Sequence, residues 1–170
     1  MTGAQSPSTS TSTSTSTAAT LTARDYRPGE VHHIVLFRFA DGVAADQRRE
    51  VEDRFRALAH TPHPDGTGPY IRSIAAGAQS SQENAGHGFE LAFVVRFASE
   101  GDRNFYVGTP LVSNPDHVDR QHAAFKDFVG PLLAEGDTGV LVFDFSDAEH
   151  PALPWGGDMI ADRTTGMGPQ

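Results

Sequence analysis

The stretch Val31-His32-His33-Ile34-Val35-Leu36-Phe37-Arg38-Phe39 decides the fold. β-Branched and aromatic residues dominate it and Asp41-Gly42 closes it, so it predicts a strand. Period two puts Val31, His33, Val35, Phe37 and Phe39 on one face, and His32, Ile34 and Leu36 on the other. A histidine within an otherwise apolar face must find a hydrogen-bond partner or lose free energy. His33 is therefore the first candidate for a functional site, and a structural histidine bonded to backbone or to Asp144 is the alternative. Residues 89–97 repeat the pattern, with Phe89, Leu91, Phe93, Val95 and Phe97 sharing one face.

Working outward, Asp46 to Ala59 carries Val51, Phe55 and Leu58 at helical spacing, with Asp46 as the expected N-cap. Ile71 to Ala76 is a short strand closing at Gly77. Ser99, with Asp102 three residues on, caps a short helix through Tyr106. A longer helix runs from about Asp119 to Leu133 with Phe125, Phe128, Val129 and Leu132 on one stripe, and Val140–Phe145 is the last strand. Strand, helix, strand, strand, helix, strand predicts an α+β domain, an antiparallel sheet with helices on one face. The other face holds Ile34, Leu36, Ala92 and Val94, and the last strand is apolar on both faces. A sheet face turned to water should be polar, so this one predicts a homodimer through the sheet face.

Residues 1–28 form a Ser/Thr-rich tail with too little apolar surface to offset the entropy of ordering, and are expected to be disordered. Residues 29–147 make the domain, and 148–170 an irregular Pro/Gly-rich tail. Within that tail Trp155 gains by burying its ring on the domain or on a partner subunit; a mobile tail is the alternative. The chain of 170 residues has a formal charge of −9 and no long basic run, which argues against nucleic acid and anionic membrane surfaces as partners. No apolar run approaches the roughly 20 residues of a membrane helix, and no signal peptide is expected. With no cysteine, thiolate chemistry and disulfides are excluded, in keeping with a cytoplasmic setting. No cofactor or metal is expected: there is no glycine-rich phosphate loop, and His60 and His63, three residues apart beside Pro62 and Pro64, lack a third ligand and are read as exposed turn residues.

Several segments in order resemble the stress-responsive A/B barrel (Dabb) family. They are His32–Phe39, Ile71–Gly77, Gly88–Phe97, Phe105-Tyr106, His122–Phe125, Gly130–Leu133 and Val140–Phe145. The resemblance covers roughly residues 31–147 and implies a ferredoxin-like fold whose sheets meet face to face as a dimeric α/β barrel. A plant polyketide (olivetolic acid) cyclase similar to this group works without a cofactor. It uses a Tyr and a His near the second helix and a His on the first strand; Tyr106, His122 and His33 match those positions. A rival register, through Asn114-Pro115-Asp116-His117, puts His117 in place of His122. Leu91 stands where the cyclase has a further pocket histidine, and an insertion between Tyr106 and His122 is expected to reshape the pocket mouth.

These residues suggest a cavity walled by Val35, Phe37, Leu91, Phe93 and Phe125 that binds a small carbonyl or phenolic compound and possesses acid–base groups to convert it in cyclase- or lyase-like chemistry. His122 would be the general base on an acidic C–H, Tyr106 would polarise the carbonyl, and His33 would orient one of them. Two other readings are a non-enzymatic stress-response dimer acting by protein interaction and, ranked last, a dimeric α+β-barrel monooxygenase.

Overall fold

The computed structural model describes residues 17–146. Its elements are β1 (Pro28–Phe37), α1 (Ala45–Ala57), β2 (Ile71–Ala78), β3 (Leu91–Ser99), α2 (Glu100–Val107), α3 (Arg120–Val129) and β4 (Val140–Ser146). The four strands form one antiparallel-paired sheet in the order β2-β3-β1-β4, two interleaved β-α-β units with their helices on one side: a ferredoxin-like fold.

Register explains the core. Val31, His33, Val35 and Phe37 lie opposite Phe97, Val95, Phe93 and Leu91, so both apolar faces point the same way. The helices supply the cover: α1 inserts Val51 and Phe55, α2 inserts Phe105 and Tyr106, and α3 inserts Phe125 and Val129. Phe55 stacks on Phe93 at 3.7 Å between centroids, and Phe37 meets Phe55, Phe93 and Phe125. Glu50–Arg54 and Glu52–Arg56 pair one turn apart on the outer side of α1, each worth about 0.3–0.5 kcal/mol at such exposed sites.

The helix starts show which local signals matter. Ser99 Oγ accepts from Asp102 N at 3.0 Å, capping α2 as expected. Asp119 caps α3, one carboxylate oxygen accepting from Gln121 N and His122 N and the other from the Tyr70 hydroxyl. Asp46, in contrast, is not an N-cap: α1 begins at Ala45, two residues earlier than that cap would place it, with Ala44 as the N-cap, and the Gln47 side chain accepts from Ala44 N at 3.0 Å. Asp46 instead puts its charge in the first turn, near the positive end of the helix.

The expected boundary of the disordered tail at residue 28 also needs correction. Residues 17–21 form a helical turn, and 17–27 pack along α2. Ala18 and Thr22 are buried, Asn104 Nδ2 donates to Leu21 O at 2.8 Å, and Gly101 N donates to Tyr26 O at 3.1 Å. Arg24 reaches the buried Asp102 carboxylate at 3.4 Å. Gly101 makes this possible, because a Cβ there would lie 1.8 Å from Ala23 O. Trp155 and the rest of the C-terminal tail lie outside the described residues, as do residues 1–16.

Away from the helices, Ile34, Leu36, Ala92 and Val94 are half-buried while Leu141 and Phe143 stand exposed, Phe143 at 57%. Among the described residues no helix is long and apolar enough to cross a membrane.

Candidate functional site

Because β4 pairs with β1, Asp144 lies directly opposite His33 on the helix-facing side. His33 Nδ1 meets Asp144 Oδ1 at 2.6 Å, and Arg103 of α2 holds the other carboxylate oxygen. Burial by itself would raise the Asp144 pKa, but the His33 hydrogen bond and charge and the Arg103 guanidinium outweigh it and hold the carboxyl below its ordinary range. An ionised carboxylate only accepts, so Nδ1 of His33 carries a hydrogen toward it, and in the neutral form of the ring the lone pair lies on Nε2.

His122, on the inward side of α3, has its Nδ1 2.6 Å from the backbone carbonyl of Tyr106. A carbonyl only accepts, which again puts the hydrogen on Nδ1 and leaves Nε2 bare. Burial drives the His122 pKa down to about 3, against the carbonyl bond, which favours the charged form; the charges of Lys126 and His33 add to the lowering. This imidazole is neutral at ordinary pH.

Tyr106 lies between the two histidines. Its ring stacks on His122 at 3.7 Å and meets His33 edge-on at 5.4 Å. Its hydroxyl is sealed from solvent and has no hydrogen-bond partner. Burial, with the Asp119 charge, pushes its ionisation well above the usual phenol range. The Nε2 atoms of His33 and His122 are not among the sealed, unpartnered atoms, and both residues line a cavity of about 400 Å³. Val35, Phe37, Phe125, Val129 and Val142 give it apolar walls, with Thr109, Leu111 and Lys126 at its helix side.

His33, His122, Val35, Phe37 and Phe125 are thus brought together as the sequence suggests. Tyr106 supports the two imidazoles from behind and does not line the cavity, since its hydroxyl faces packed core. Phe93 is fully buried under Phe55, and Leu91 lines a different, open groove of about 730 Å³ beside Arg48 and Gln79. Both belong to β3, which lies on the far side of β1 from β4, so neither reaches the cavity. His117 sits in the turn before α3 with Nδ1 3.4 Å from Thr22 Oγ1, away from the cavity, which leaves His122 as the histidine there. Thr109 and Leu111, from the segment between Tyr106 and His122, line the cavity.

His60 is exposed, but His63 is not the exposed turn residue expected: its ring is buried against Phe105 at 4.9 Å, and its Nε2 has no partner. No group of three metal-binding side chains occurs among the described residues. Sequence reasoning missed Arg103 and Lys126. Lys126 was findable, being one helical turn after His122 on the same face.

No curated protein matches the chain. Among solved structures, a protein from Arabidopsis thaliana is 25% identical over 68% of this chain and 93% of its own, with a TM-score of 0.51. A hydroxynitrile lyase from Passiflora edulis is 18% identical over 72% and 96%, with a TM-score of 0.53. A dimeric ferredoxin-like protein of unknown function from Jannaschia sp. CCS1 is 18% identical over 69% and 99%, with a TM-score of 0.54. The last two share the fold. The family model for the stress responsive A/B barrel domain matches residues 31–147, from within β1 to one residue past β4. The sheet order, the helix cover and that match together place the chain in the stress responsive A/B barrel (Dabb) domain family.

Proposed function

We propose that the cavity binds a small carbonyl or phenolic compound and that His33 moves a proton to or from it, without a cofactor. The observation carrying this reading is that His33, although bonded to Asp144 as the structural alternative expects, lines the same apolar cavity as His122. Asp144 fixes the imidazole tautomer and steadies the imidazolium that forms, and Arg103 keeps Asp144 ionised and in place. Nε2 of His33 takes the proton from a carbon next to the carbonyl, the electron pair moves onto the carbonyl oxygen, and the imidazolium later returns the proton. His122, held neutral, accepts a hydrogen bond from a ligand hydroxyl. This exchanges the roles expected from sequence, where His122 was the base, and gives Tyr106 a positioning role. Binding of aryl ketones and phenols, followed by NMR on the full chain, tests the reading. Shifts grouped at His33, Val35, His122 and Phe125, weakened in His33→Gln, are expected; the absence of any such site contradicts it and favours a non-enzymatic protein.

The exposed Leu141 and Phe143 support a second element of the proposal, a homodimer through the open sheet face. Removing even about 600 Å² per subunit from water contributes on the order of 15 kcal/mol before association costs.

A further inference from the structure

Lys126 is the only lysine in the 170 residues; every other basic side chain besides histidine is arginine. It lies one turn after His122 on α3, and both line the cavity. Its Nζ donates to the backbone carbonyl of Val107 at 3.2 Å. Among the described residues no carboxylate lies within ion-pairing distance of it, whereas Arg24, Arg27, Arg48, Arg54, Arg56 and Arg103 each face one. The one carboxylate lining the cavity, Asp144, is engaged by His33 and Arg103. The ammonium also bears on the cavity's chemistry, since its charge is felt at His122. The cavity thus offers one uncompensated positive charge at the edge of an apolar chamber, and an ammonium there gains most from an anion brought by a ligand.

We propose that the cavity's ligand is a carboxylic acid with an apolar body, its carboxylate seated on Lys126 and its body between Val35, Phe125 and Val129. The inference rests on the cavity being a ligand site and adds the ligand class. With the acid group at Lys126, a carbonyl further along the ligand comes to the imidazoles, so a keto acid is the reacting form.

The alternative role for Lys126 is to neutralise the carbonyl end of α2 at Val107, which would affect stability and not selectivity. A matched pair of probes separates the two. 4-Phenylbutyrate and 4-phenylbutanamide have the same body and differ in charge, and each is titrated calorimetrically into the full chain. Lys126 is exposed, so the acid should bind up to about fivefold more tightly than the amide, the range of an ion pair open to solvent. Lys126→Met should bring the acid down to the amide's affinity, and Lys126→Arg should keep the preference. Because the lysine is unique, reductive ¹³C-methylation gives one side-chain dimethylamine signal, which the acid should shift and the amide should not. Equal affinity for acid and amide in the unaltered protein, or a preference that survives Lys126→Met, overturns the inference and leaves the cavity reading intact. Binding of neither probe overturns the inference, and if the aryl ketones and phenols also fail, the cavity reading falls with it.

Discussion

His122 makes acid costly for this protein. Its pKa in the folded chain is about 3 against an ordinary 6.5, so between those values the unfolded chain takes up a proton that the folded one refuses. Stability from this group is therefore full above 6.5 and is lost as the pH falls from 6.5 toward 3, with a slope of up to about 1.4 kcal/mol per pH unit. Urea unfolding at a series of pH values should show that slope, and His122→Gln should flatten it. Tyr106 makes an opposite kind of prediction. A sealed hydroxyl with no partner carries a desolvation penalty, so Tyr106→Phe should leave thermal stability unchanged or higher. It should also leave ligand binding within about twofold, whereas a Tyr106 that touched ligand would lose more. The two histidines were visible in the sequence because an imidazole on an apolar stripe stands out. The sealing of Tyr106 was not, because burial of a hydroxyl depends on how α2 and α3 meet. The His33–Asp144 pair was half visible: both residues fall on helix-facing sides, but only the β1–β4 register makes them opposite.

At the level of elements, most of the architecture was legible because hydrophobic period and length agree in each segment. Strand period two with aromatics marked β1, β3 and β4, and Val51–Phe55 and Phe125–Val129 at i, i+4 marked the two long helices. Sheet order was not legible from patterning, and that is why Leu91 and Phe93 were assigned to a cavity that lies across β1 from them. Residues 17–27 were misread for a different reason. They carry only Leu21 and Tyr26 as large apolar residues, while their docking depends on Gly101, on backbone hydrogen bonds and on the Asn104 and Arg24 side chains, which composition does not report. Gly101→Ala tests that docking. Its Cβ must displace the Ala23 carbonyl, so the segment should detach. Overpacking of this kind costs about 1–3 kcal/mol, measurable as a lower melting temperature and as faster hydrogen exchange at Tyr26 and Gly101. Unchanged exchange at both amides would show that the segment is not held there.

For the whole molecule, helices cover one side of the sheet except at β4, where Val140 and Val142 stand exposed, and the other side is left apolar with Leu141 and Phe143 exposed at its edge. Sedimentation velocity of the full chain should give a dimer, and Phe143→Arg should shift it to monomer while keeping the far-ultraviolet circular dichroism. A monomer at all concentrations would remove the dimer from the account without touching the cavity, since every residue that carries the site comes from one chain. At the centre of the proposed chemistry stands His33, steadied by Asp144, as a working base in that cavity. The direct test is the exchange of α-carbon hydrogen for deuterium in aryl keto acids dissolved in D₂O with the protein, followed by proton NMR. Catalysed exchange is expected, falling at least about a hundredfold in His33→Gln and weakened in Asp144→Asn. Exchange at the uncatalysed rate with keto acids that do bind, or equal rates in the unaltered protein and His33→Gln, would contradict it.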